Sequence, residues 1–172
     1  METLDRVFVD FSAKKLKQLF SRIQECVRKL NAEQVWARGS ENENAVGNLV
    51  LHLTGNVRQW IVSGVGGAAD VRVRDREFST HGGIAASELL DRLEQTVNEA
   101  VTVLNSIPLE RLLERVTIQK YNLPVMEAVY HVVEHFAQHT GQIIFATKWM
   151  TGEDLGFYAH LKTPPTHSAK TP

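Results

Sequence analysis

Thiols are nearly absent from this chain: Cys26 is its one cysteine in 172 residues. A lone cysteine excludes an intramolecular disulfide and fits a reducing compartment. Long apolar runs are missing as well. No stretch of about 18 apolar residues occurs, so no helical membrane span is expected. The opening Met-Glu-Thr-Leu-Asp-Arg segment also lacks the apolar core of a signal peptide. An excess of one charge is the third absence, with 19 Lys and Arg against 20 Asp and Glu. Binding to nucleic acid needs a basic face that neutralises phosphates, so no such partner is expected. The remaining expectation is a cytoplasmic globular protein, with one domain over residues 1–162 and a flexible Pro-, Thr- and Lys-rich tail at 163–172. A chain of this length buries on the order of 70% of the surface its unfolded form exposes, enough to fold without staples.

What the sequence does contain is helical periodicity. Leu16, Leu19, Phe20, Ile23, Val27 and Leu30 recur at three- and four-residue steps, predicting a helix over 4–31 with one buried face. A second helix is predicted from Ala45 to about Ser63, with Leu49, Val50, Leu53, Val57, Trp60 and Ile61 on its apolar side. Residues 64–84, rich in glycine at both ends, read as a long crossover. A third helix follows from Ser87 to about Ser106, then a short turn and loop over 109–123. Pro124 suits the first position of a fourth helix that runs to about Met150 and stops before Gly152. The pattern predicts an all-α fold, a four-helix bundle with a long crossover between helices two and three.

The histidines are not scattered. His131, His135 and His139 follow at four-residue steps on the fourth helix, and His52 lies midway along the second. Residues four apart share a helical face, so two imidazoles can converge on one ion. Neutral imidazole suits zinc, nickel or iron(II), and three histidines leaving an open position form a known catalytic shell. His131 and His139 are eight residues apart, roughly 12 Å along the axis, so both cannot readily serve one metal. Spacing therefore leaves two pairs open, His131 with His135 or His135 with His139, each needing His52 from the second helix. Burying several imidazoles without a metal or carboxylate partner would be costly.

Polar residues stand in register with them. Asn48, His52, Asn56 and Trp60 form a stripe on helix two, and Gln142 follows His139 by three. Amides there suit hydrogen bonds to metal ligands or substrate. Arg72, Arg74 and Arg76 in the crossover can hold a carboxylate at the mouth of a site. Cys26 reads as a packing residue, since no histidine stands near it in sequence to activate it.

The segment HVVEHFAQHTGQI (131–143) resembles the fourth-helix signature of the DinB/YfiT-like superfamily of metal-binding bundles, in its branch of unknown function. GNLVLHLTGNVRQWI (47–61) is similar to that branch's second-helix motif. Arg-Asp-Arg-Glu-Phe (74–78) matches its crossover, and Gly-Glu-Asp-Leu-Gly-Phe-Tyr (152–158) fits its C-terminal part. The resemblance spans roughly residues 5–160. It implies a divalent metal, zinc or nickel, held by His52, His135 and His139, with His131 beside the metal pocket.

The resemblance also implies a function. Relatives include metal-dependent transferases that use a low-molecular-weight thiol and a small electrophile, hydrolases of small substrates, and members without assigned chemistry. The expected activity is thiol S-transfer, with Arg72, Arg74 or Arg76 binding thiol carboxylates and Asn56 or Gln142 orienting ligands or substrate. A metal-dependent hydrolase of esters or amides and a non-catalytic metal-binding protein of stress response are the alternatives. The expected partners are a small-molecule substrate and a second copy of the chain, in a homodimer.

Overall fold

Apolar residues at helical spacing produce α1 (Leu4–Arg28), started by Thr3, whose side chain accepts from the Arg6 N–H at 3.3 Å. The structure is a computed structural model that describes residues 3–161; the expected tail at 163–172 lies outside them. The helix expected over 4–31 stops earlier, at Arg28. Asn31 and Gln34 cap each other reciprocally, side chain to backbone N–H, and start a separate short helix, α2 (Ala32–Trp36).

The second long helix is α3 (Val46–Val57), and it continues as a π-helix over Arg58–Val65. The crossover carries a short helix, α4 (Arg74–Ser79), and leads to α5 (Ala86–Ser106). A 3-10 turn at Leu109–Leu113 precedes a hairpin, β1 (Arg115–Ile118) and β2 (Tyr121–Pro124), paired antiparallel with Ile118 opposite Tyr121. This hairpin occupies the stretch expected as turn and loop. The last long helix, α6 (Val125–Thr151), ends at Gly152, whose φ of 70° supplies the left-handed cap that the sequence predicts there.

Among the described residues the architecture is mostly helical, six α-helices with one two-stranded sheet. α1 packs against α5 and α6, and α3 packs against the same two. One continuous apolar core lies between them, with Leu16, Ile23, Leu53, Leu93, Val132 and Phe136 fully or almost fully buried. No helix among these residues is long and apolar enough to cross a membrane.

Two details of this packing position the site. Asn48, fully buried, donates to the carbonyls of Glu77 and Thr80, and Arg38 donates to the carbonyls of Phe78 and Thr80. These bonds pin the α4 segment against α3. The hairpin rests on the π-helix at Gly64, where an added Cβ would run into Ile118 Cγ1 and Cδ1. At its turn Gln119 takes a φ of 56° and donates to Gln59 Oε1, which also accepts from Arg72.

Candidate metal centre

His52 projects from α3 toward α6. Its Nε2 lies 3.1 Å from Nε2 of His135, and Nε2 of His139 lies 3.1 Å from that same atom. One ligand atom from each of the three residues falls within 4.8 Å of the others, so the three histidines form a group able to hold a metal ion. Of the two pairs that spacing allows, the fold brings His135 and His139 to His52. His131 stands outside the group, its ring centroid 4.3 Å from that of Trp60 at a tilt of 46° and 5.7 Å from that of His135.

The outward nitrogens explain why the inward ones converge. His52 Nδ1 donates to Glu77 Oε2 at 2.9 Å, and His139 Nδ1 donates to Gln142 Oε1 at 2.6 Å. A proton on each Nδ1 leaves each Nε2 as a lone pair aimed inward. Arg72 Nη2 comes within 3.2 Å of His52 Nδ1, but its hydrogen bond goes to Glu77 Oε2 at 2.8 Å, since the histidine nitrogen already carries a proton. Arg72 Nε holds Glu77 Oε1 at 2.7 Å, closing a two-point grip on the carboxylate.

Glu77 is the functional residue that helical spacing does not find. It belongs to the Arg74–Phe78 run matched above, but nothing in the spacing aims it at a histidine 25 residues earlier. Burial pushes its carboxyl up, and the bonds from Arg72 and His52 outweigh that, holding it below the usual range as an anion. Gly55 makes room for it: a Cβ at that position would overlap Glu77 Oε1 and stand 2.9 Å from Arg72 Nε.

The cluster resists protonation. Burial first, then the neighbouring histidines and Arg72, lowers the His135 imidazole to about 3. Burial also lowers His139. With two lone pairs fixed inward, a single proton on His135 Nε2 can satisfy only one of its two close neighbours. A tetrahedral zinc with ligand bonds near 2.0–2.1 Å separates its nitrogens by about 3.3 Å, close to the 3.1 Å from His135 Nε2 to each of its two neighbours. The donor set, three neutral imidazoles with oxygen partners behind two of them, suits a divalent transition metal.

A cavity of about 730 Å³ opens beside the cluster, lined by His52, His135, His131, Asn56, Trp60 and Arg74 among others. Arg72, then Gln119, Tyr121, Asn122 and Leu123 of the hairpin, and Glu127 and Tyr130 of α6 complete its wall. The three arginines separate in the fold. The Arg72 side chain is buried on Glu77 and also borders the cavity, Arg74 lies over the Phe78 ring at 4.8 Å and lines the cavity, and Arg76 lines a different depression. Asn56 is buried at the cavity wall, and Gln142 serves His139 directly.

A family model described as "Protein of unknown function (DUF1572)" matches residues 3–164. Among solved structures, the crystal structure of a conserved protein from Enterococcus faecalis aligns with a TM-score of 0.73 at 12% identity, over 84% of this chain and 97% of that one. At that identity the likeness is one of fold. No curated protein matches the chain.

Proposed function

This chain belongs to the family described as protein of unknown function, DUF1572, and we propose that it is a DinB-like four-helix bundle that binds one divalent metal and transfers a small electrophile to a low-molecular-weight thiol. The observation that carries the reading is the convergence of three Nε2 atoms, two of them fixed from behind, next to a cavity large enough for a small molecule. His52, His135 and His139 would hold the metal, with zinc or nickel the ions best suited to three imidazoles. When bound, such an ion is a Lewis acid that lowers the pKa of a thiol or water into the neutral range.

The chain's own residues do the rest. Glu77 and Gln142 fix the tautomers of His52 and His139. Trp60, Tyr121 and Leu123 give the cavity an apolar wall against which an electrophile can pack. Arg74 offers a guanidinium at the same wall for a carboxylate of the thiol. His131, lowered by burial and so neutral at pH 7, presents a ring nitrogen that can accept the thiol proton. Sulfur then forms its bond to the electrophilic carbon, and the leaving group departs with its electron pair. The homodimer that the family resemblance implies is part of the same proposal.

Metal content of the purified full chain, measured by plasma mass spectrometry, tests the reading. The expected result is near-stoichiometric zinc or nickel that His52→Ala and His135→Ala both abolish. Turnover is then measured with glutathione, bacillithiol or mycothiol and an alkyl halide. Ester or amide cleavage without added thiol would replace transfer by hydrolysis. Absence of metal after reconstitution with zinc or nickel would overturn the proposal.

A further inference from the structure

Four buried side-chain polar atoms have no hydrogen-bond partner among the described residues, and three of them belong to residues lining the cavity beside the histidines: Asn56 Oδ1, Trp60 Nε1 and His135 Nδ1. Orphaned buried polar atoms are uncommon, and three around one cavity share a cause. The packing of α3 on α6 brings them together. His52 meets His135 and His139 with ring centroids 4.9 and 5.1 Å apart. Trp60, eight residues further along, meets His131 at 4.3 Å. The two segments therefore run antiparallel here, and Asn56, midway between His52 and Trp60, stands opposite the turn between His131 and His135.

The atoms are chemically complementary. If His135 Nε2 is to present a lone pair to the cluster, its proton sits on Nδ1, which then must donate. The Trp60 indole nitrogen can only donate, and the Asn56 amide oxygen can only accept. Oxygen partners already stand behind the other two histidines, Glu77 Oε2 on His52 and Gln142 Oε1 on His139. His135 is the central member, 3.1 Å from each neighbour, and it alone lacks one.

We propose that Asn56 is the positioning residue for His135, acting through one water that accepts from His135 Nδ1–H and Trp60 Nε1–H and donates to Asn56 Oδ1. Three bonds are the usual complement of a buried water, and these residues supply two donors and one acceptor for it. This inference rests on the three-histidine metal reading. All three imidazoles would then be held from behind by an oxygen, as metal-ligating histidines generally are.

The test is the affinity of the full chain for Co²⁺ and Zn²⁺, by competition with a chromophoric chelator, beside the thermal midpoint of the metal-free protein. Asn56→Leu, similar in size but unable to accept, is expected to weaken metal binding roughly 10- to 100-fold. Its metal-free midpoint should fall only modestly, because the water shared by His135 and Trp60 loses one acceptor while the packing is kept. Asn56→Asp accepts the same bond and is expected to restore the affinity; Trp60→Phe should give a smaller loss. Should leucine not be accommodated, Asn56→Ala carries the same expectation. An affinity unchanged in both Asn56→Leu and Asn56→Ala would overturn the proposal and leave the three-histidine site standing. So would a fall in midpoint and affinity together without rescue by aspartate. A wild-type chain that binds neither ion would overturn both.

Discussion

Glu77 Oε2 accepts a 2.9 Å hydrogen bond from Nδ1 of His52, and both side chains are almost fully buried. The carboxylate belongs to the crossover and the imidazole to α3, so the bond exists only because Asn48 and Arg38 pin one to the other. Glu77→Gln keeps the shape and loses the charge. It should weaken metal binding roughly 10- to 100-fold, as loss of a carboxylate behind a ligating histidine does. Glu77→Ala also strands the buried Arg72 and should cost about 3 kcal/mol of stability, read by chemical denaturation.

Two glycines separate a crowded site from an open one. Gly55→Ala places a methyl group on Glu77 Oε1 and near Arg72 Nε, and it should damage metal affinity as Glu77→Gln does. Gly141, within α6 and exposed, has no atom within 4 Å of its added Cβ. Gly141→Ala should raise stability by up to about 1 kcal/mol, since alanine restricts the unfolded chain and favours the helix. Denaturation and chelator competition on the two variants separate the effects.

Acid should destabilise the metal-free protein through its buried imidazoles. His135 is held near 3 in the folded chain against an ordinary 6.5. Between those values the unfolded chain takes up a proton that the folded one refuses, so stability is full above about 6.5 and falls as pH drops toward 3. In the presence of EDTA, His135→Gln should lose less stability than wild type across that window. An identical pH profile for the two proteins would refute this assignment.

His131 and Arg74 line the cavity without belonging to the histidine cluster. His131→Phe should leave metal stoichiometry unchanged and slow turnover. Arg74→Ala should raise the KM for a carboxylate-bearing thiol, while Arg76→Ala, in a different depression, should leave it within about twofold. Steady-state kinetics on the three variants check the assignment; an equal KM effect from Arg74 and Arg76 would remove Arg74 from the site.

The sequence by itself determined the four long helices and the candidate ligands. A buried face needs apolar residues every three or four positions, so Leu16 to Val27 or Leu89 to Leu104 declare their helices locally. The same 3.6-residue period sets His135 and His139 one turn apart and leaves His52 as the helical partner from elsewhere. Three things depended on the tertiary structure. The π-helix at 58–65 and the hairpin at 115–124 exist against each other, Gly64 against Ile118, and neither has a period of its own. The choice of His139 over His131, which spacing left open and the family resemblance implied, has its physical cause in the antiparallel seating of α6 on α3, which sends His131 to Trp60. Glu77 reaches His52, and Asn56 reaches the turn beside His135, only after the helices and the crossover have packed. Periodicity reports which face of a helix is buried, whereas a hydrogen bond across 25 residues depends on where another segment comes to rest.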